Sequence, residues 1–148
     1  MMLVHGTAVA LAGAGVLMRG PSGSGKSDLA LRLVEGGALL VADDQTELWP
    51  TEGAVLLRAP TILAGRLEVR GLGILRMPSI AEAPLKLVLE LVAPERVERL
   101  PDPEFCQYFQ CDIPLLRLAP FEISAASKVR LALRGLVAPT AGPILAGS

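Results

Sequence analysis

Apolar positions along this chain recur first with one spacing and then with another, and each change of spacing marks an element. Leu3 to Leu11 is an apolar run, Gly13-Ala14-Gly15 is a turn signal, and Val16-Leu17-Met18 resumes the run. That pattern predicts two strands joined by a tight turn. From Lys26 the spacing changes to three and four, so that Leu29, Ala30, Leu33 and Val34 share one helical face until Gly36-Gly37 stops the helix. Ala38 to Ala42 is a short apolar run between glycines and aspartates, as expected of a strand buried on both faces. Gln45 to Trp49, a turn at Pro50 to Gly53, and Ala54 to Leu57 read as a hairpin.

Further along, Leu85 to Leu91 predicts another strand, Pro94 to Pro114 a proline-broken connection, and Leu115 to Leu118 a short strand. Ser124 is placed to cap a last helix from Ala125 to Arg134, and the glycine-, proline- and alanine-rich remainder, from about residue 136 to Ser148, reads as a frayed tail. No internal repeat or linker divides the chain. The expectation is one α/β domain over residues 1–148, built on a mixed β-sheet.

Composition narrows the function classes. With 148 residues, 14 basic against 15 acidic side chains and a net charge of -1, the chain carries no field of either sign to gather nucleic acid or anionic lipid. Phosphate chemistry here has to rest on local geometry. Cys106 and Cys111 have no second pair, and His5, the one histidine, lies far from them in sequence, so they read as reduced thiols in a cytoplasmic protein and not as zinc ligands. The uncharged stretch Thr7 to Met18 is too short and too glycine-rich to span a bilayer and lacks a basic leader.

The chemistry is concentrated in Gly20-Pro21-Ser22-Gly23-Ser24-Gly25-Lys26-Ser27, which fits G-x-x-x-x-G-K-[ST] and stands between a predicted strand and a predicted helix. Glycines in such a loop turn successive backbone N–H groups inward around a β-phosphate, and the helix amino terminus adds partial positive charge. Lys26 is then placed for the β- and γ-oxygens of ATP, and the Ser27 hydroxyl for Mg²⁺. Asp43 and Asp44 follow the buried strand at the end nearest this loop, where a kinase needs one carboxylate for magnesium and another for the nucleophile. Adjacent side chains of an extended strand point to opposite sides, so both face the nucleotide only if a turn begins between them.

Three segments beside these make the chain similar to the HPr kinase/phosphorylase family: Val4-His5-Gly6, Leu40-Val41-Ala42-Asp43-Asp44, and Leu67-Glu68-Val69-Arg70-Gly71-Leu72-Gly73-Ile74. The match covers His5 to about Ile74. The resemblance implies a catalytic domain similar to phosphoenolpyruvate carboxykinase, with a mixed sheet and a P-loop, that uses ATP and Mg²⁺ to phosphorylate a serine of the phosphocarrier protein HPr. It further implies His5 as the active-site histidine, Lys26 as the loop lysine, Ser27 and Glu68 as magnesium contacts, Asp44 as proton acceptor from the serine, and Asp43 as its support.

Members of the family commonly also run the reverse phosphorolysis, and longer relatives assemble into homo-oligomers. Because the chain starts almost at the histidine segment, it is similar to short forms consisting of the catalytic domain alone. The family's carboxyl-terminal P-G-R-N-like segment has no counterpart here. Its region reads Leu115-Leu116-Arg117-Leu118-Ala119-Pro120-Phe121-Glu122, with Arg117 as the only arginine to stand in its place. Pro101 to Ile113, with Phe105, Tyr108 and Phe109, is the candidate surface for the carrier protein. Two other readings share the loop: a small-metabolite kinase, and a non-catalytic ATP-binding regulatory module.

Overall fold

The computed structural model describes residues 1–137. Its first hairpin joins β1 (Met2–Leu11) to β2 (Ala14–Arg19) through Ala12 and Gly13, whose φ angles of 49° and 83° are both left-handed. That geometry matches the twist of paired strands. The turn is therefore tighter than the glycine-rich signal implies, and Ala14 and Gly15 already belong to β2.

Helix α1 (Lys26–Glu35) follows the phosphate-loop motif and ends where expected. The Gly37 N–H donates to the Val34 carbonyl and the Ala38 N–H to the Leu33 carbonyl, while Gly37 takes φ 109°, the left-handed stop that glycine tolerates best. The chain returns in β3 (Leu39–Ala42), antiparallel to β1 and hence parallel to β2, with β1 between them.

β4 (Gln45–Thr51) and β5 (Ala54–Arg58) form the predicted hairpin, although Pro50 pairs with Val55 and the turn shrinks to Glu52-Gly53. A separate two-stranded ribbon, β6 (Arg66–Val69) with β7 (Gly73–Arg76), carries Glu68. β8 (Glu82–Leu91) is longer than expected and runs parallel to β2 on one side. β9 (Glu104–Tyr108) and β10 (Cys111–Leu118) form another hairpin, with β10 parallel to β8.

This last hairpin corrects the expectation that residues 94 to 114 are an irregular connection. Pro114 sits within β10, and the turn between β9 and β10 uses Phe109 and Gln110 at φ 51° and 66°, residues that give no turn signal. Helix α2 (Ala125–Val137) starts directly after Ser124, whose carbonyl accepts the Lys128 N–H. The predicted tail lies mostly outside the described residues.

Two long strands, β1 and β8, each serve two sheets. Their later halves lie in a sheet ordered β3-β1-β2-β8-β10-β9, and their first residues pair with β4 and β5 in a second sheet. Alternation with period two then sorts side chains into two cores. Val9, Val16, Met18, Leu40, Leu87 and Leu89 face Leu29 and Leu33 of α1 and Val129 and Leu133 of α2. Ala8, Leu17, Val41 and Val88 face Leu48 and Leu57 of the second sheet. Leu40 and Val41 thus bury opposite faces of β3, as its unbroken apolar run predicts. Gly6 lies where β1 passes from one sheet to the other, and a Cβ there would come within 2.7 Å of the Met18 carbonyl oxygen.

Candidate active site

In the main sheet β3, β2, β8 and β10 all point the same way, so their carboxyl-terminal ends share one edge, where ligands of open α/β sheets bind. The phosphate-loop motif leaves β2 at this edge. Gly20, Gly23 and Gly25 have φ of 158°, 79° and 100°. At Gly20 a Cβ would meet the Ser24 hydroxyl at 2.6 Å, and at Gly25 it would meet the Phe121 ring and Pro120 at 2.9 Å. Side chains at Gly20 and Gly25 would fill the turn, whereas Gly23 faces open space. The first intrahelical bond runs from the Leu29 N–H to the Gly25 carbonyl. The N–H groups at the start of α1 are therefore not used within the helix.

Lys26 is 7% exposed, and its Nζ donates to the Gly20 carbonyl at 2.6 Å and the Pro21 carbonyl at 3.0 Å. The ammonium is thus held across the mouth of its own loop. Such a cradle of backbone donors around a lysine fits a polyphosphate.

Asp43 is the hub of the neighbouring carboxylate pair. Its Oδ1 accepts from Ser27 Oγ at 2.7 Å and Thr7 Oγ1 at 3.0 Å, and its Oδ2 accepts from the Glu68 N–H at 3.1 Å. Asp44 takes φ 68°, so the turn does begin between the two aspartates. Its backbone N–H donates to Thr7 Oγ1 at 3.1 Å, and its carboxylate meets His5 Nε2 at 3.0 Å. The His5 and Asp44 side chains are 58% and 63% exposed. One carboxylate is thus turned into the fold against Ser27, and the other is presented outward with the histidine.

His5, Lys26, Ser27, Asp43 and Asp44 are therefore linked through one network with the loop. Glu68 joins it through its backbone, while its carboxylate is solvent-exposed. Thr7, fully buried, was missed by sequence reasoning, and its signal is that of a hydroxyl within an otherwise apolar run. Among the described residues no three His, Cys, Asp or Glu side chains cluster as a metal cage. Mg²⁺ commonly takes only one or two protein oxygens beside phosphates and water, and Ser27 with Asp43 offers that set.

The aromatic surface candidates separate. Phe105 is 62% exposed, but Tyr108 is buried with its hydroxyl accepting from Arg19, and Phe109 packs against the second core. Arg19 also clasps Glu90 at 2.6 Å. Burial presses its guanidinium down, but the bonds to Tyr108 and Glu90 outweigh that and leave it above its ordinary value. Arg117 pairs with Glu104 through Nε and Nη2, each donating to one carboxylate oxygen at 3.1 Å, on the outside of the β9–β10 hairpin.

Residues 1–118 match the family described as HPr Serine kinase C-terminal domain. The chain belongs to this HPr kinase family. It is similar to the HPr kinase/phosphorylase of Clostridium tetani, 46% identical over 77 residues that cover 52% of this chain and 25% of that protein. The Bordetella pertussis HPr kinase/phosphorylase is 44% identical over 109 residues, 66% of this chain and 35% of that protein. The chain thus spans only about a quarter to a third of these HPr kinases. The solved structure of the Hpr(Ser) kinase/phosphatase from Coxiella burnetii superposes with TM-score 0.83 at 21% identity, over 95% of this chain and 99% of that one, and shows the HPr kinase fold.

Proposed function

We propose that this chain is an ATP-dependent serine kinase acting on an HPr-type phosphocarrier protein. The observation that carries the reading is the division of the aspartates: Asp43 bound to the loop's Ser27, and Asp44 turned outward beside His5. In the reaction the loop amides and Lys26 hold the β- and γ-phosphates of ATP, and Ser27 with Asp43 hold Mg²⁺, with Glu68 the further candidate oxygen. When bound there, the ion would supply charge neutralisation to the phosphates.

Asp44 accepts the proton of the acceptor serine as its oxygen attacks the γ-phosphorus. The bond from that phosphorus to the β,γ-bridging oxygen breaks, ADP leaves, and His5 holds the Asp44 carboxylate in place. The exposure of Asp44 and His5 suits a folded protein as acceptor better than a small metabolite, which needs a closed pocket. Among the described residues no helix is long and apolar enough to cross a membrane. We place the reaction in the cytoplasm, where phosphocarrier proteins work, and phosphorolysis and homo-oligomer formation are further family activities to be assayed in the same preparation.

The test is transfer of γ-labelled phosphate from Mg-ATP to purified HPr. We expect phosphoserine on HPr, no nucleotide binding for Lys26→Ala, and for Asp44→Asn a loss of turnover on the order of 10²- to 10⁴-fold with binding retained. Label on a metabolite and none on HPr would move the assignment to a small-molecule kinase. Full transfer by Asp44→Asn would remove Asp44 from the mechanism.

A further inference from the structure

The second sheet, made of the first residues of β1, the hairpin β4–β5 and the start of β8, packs one face against the main sheet. Its other face meets solvent, and apart from His5 it has no part in phosphoryl transfer. Thr46, Leu48, Val55, Leu57 and Ala83 are buried, so the residues alternating with them point outward. The strand register sets these in rows. His5 stands opposite Gln45 at the end next to Asp44. In the following row Glu47 is opposite Arg58, and Arg58 opposite Glu82. The row after that is apolar, with Trp49 opposite Leu56 and Leu56 opposite Pro84.

The charges of the middle row satisfy one another and fix the ring beyond them. Arg58 donates to Glu82 at 2.9 Å, and its guanidinium carbon lies 5.1 Å from the centre of the Trp49 ring. Trp49 Nε1 donates to Glu47 at 2.9 Å. The indole is partly exposed and held in one orientation from two sides, with Leu56 partly exposed next to it. An aromatic anchor already ordered before binding, set among paired polar groups, is the arrangement found at the centre of protein–protein interfaces.

We infer that this outer face is the docking surface for the acceptor protein, with Trp49 and Leu56 as its apolar anchor. The inference rests on the kinase reading and names where its substrate sits. An acceptor serine at the Asp44 carboxylate lies beside His5, and the Trp49 row is four residues further along β4 than Gln45, about 14 Å away. A metabolite held at Asp44 does not extend that far. A small folded domain does, provided it carries an apolar patch at that distance from its serine. The alternative aromatic, Phe105 on β9, is separated from β1 in the main sheet by β2, β8 and β10.

Trp49 is the one tryptophan of the chain, so its emission reports on this face directly. Titrating the full chain with tryptophan-free HPr is expected to change that emission saturably. In the phosphoryl-transfer assay, Trp49→Ala and Leu56→Glu are expected to raise KM for HPr roughly tenfold to a hundredfold while leaving kcat and Mg-ATP affinity unchanged. Emission indifferent to saturating HPr, or an unchanged KM in both variants, overturns the inference. So does emission that shifts when the chain alone is diluted and ignores HPr, since the face then joins two copies of this chain. The emission titration needs no substitution, so it decides even where a variant fails to fold. A chain that binds Mg-ATP but neither binds nor phosphorylates HPr overturns the acceptor assignment itself, and this surface falls with it.

Discussion

Thr7 shows how much one buried hydroxyl decides. It donates to Asp43 and accepts from the Asp44 backbone, so a single side chain sets both carboxylates relative to β1. Thr7→Val keeps the shape and removes both bonds. We expect it to lower transition temperature and unfolding free energy by about 1–3 kcal/mol, the usual cost of orphaning buried partners, and to reduce phosphoryl transfer more than ATP affinity. Denaturant titration and initial rates on the same preparation measure the two effects. Most of the site was legible because its chemistry is consecutive in sequence: the loop is one uninterrupted motif, and the two aspartates end one apolar run. What the sequence could not convey is which aspartate turns inward. That depends on the left-handed backbone at Asp44, a conformation aspartate tolerates and does not announce. The same conformation makes Asp44→Asn a cleaner probe than Asp44→Ala, since asparagine also accepts it and alanine adds strain.

Hairpin turns are the elements in which local conformation and sequence agree least. Ala12 takes a left-handed φ immediately before Gly13, in a turn that favours Asn-Gly. Ala12→Asn is therefore expected to stabilise the protein by roughly 0.5–1 kcal/mol, read as a shifted denaturation midpoint with an unchanged slope. The β9–β10 hairpin escaped prediction for a related reason. Phe109 and Gln110 make its turn where Asn or Gly is usual, and Pro114 interrupts the strand pattern. Its outer face also carries the Arg117–Glu104 pair, whose guanidinium holds the Glu104 carboxyl below the usual range. A carboxyl depressed in this way stabilises the fold above its unfolded value, and the contribution disappears as pH falls through the lower folded value. Both side chains are in contact with solvent, so the effect is small. NMR titration is expected to show Glu104 protonating at lower pH than a free glutamate and returning towards the ordinary value in Arg117→Ala.

At the scale of the whole molecule, two cores share the strands β1, β2, β3 and β8, and neither core is independent of the other. Leu40 sits fully buried in the helix-facing core on β3, two residues before Ala42, where the strand ends and leads into Asp43. Leu40→Ala is expected to cost about 2–5 kcal/mol by denaturant unfolding, at the high end if the helices cannot close over the gap. The individual strands were largely visible in the apolar pattern, whereas the sharing of β1 and β8 between sheets was not, because pairing partners distant in sequence leave no local period. The parallel contact of β2 with β8 is such a partnership, Gly15 lying opposite Leu85. Its closure spends chain entropy long before any contact rewards it, which slows folding. The strand that leads into the glycine-rich loop therefore gains its second neighbour late, and a nascent chain on the ribosome has to emerge beyond Leu91 before that strand is flanked on both sides.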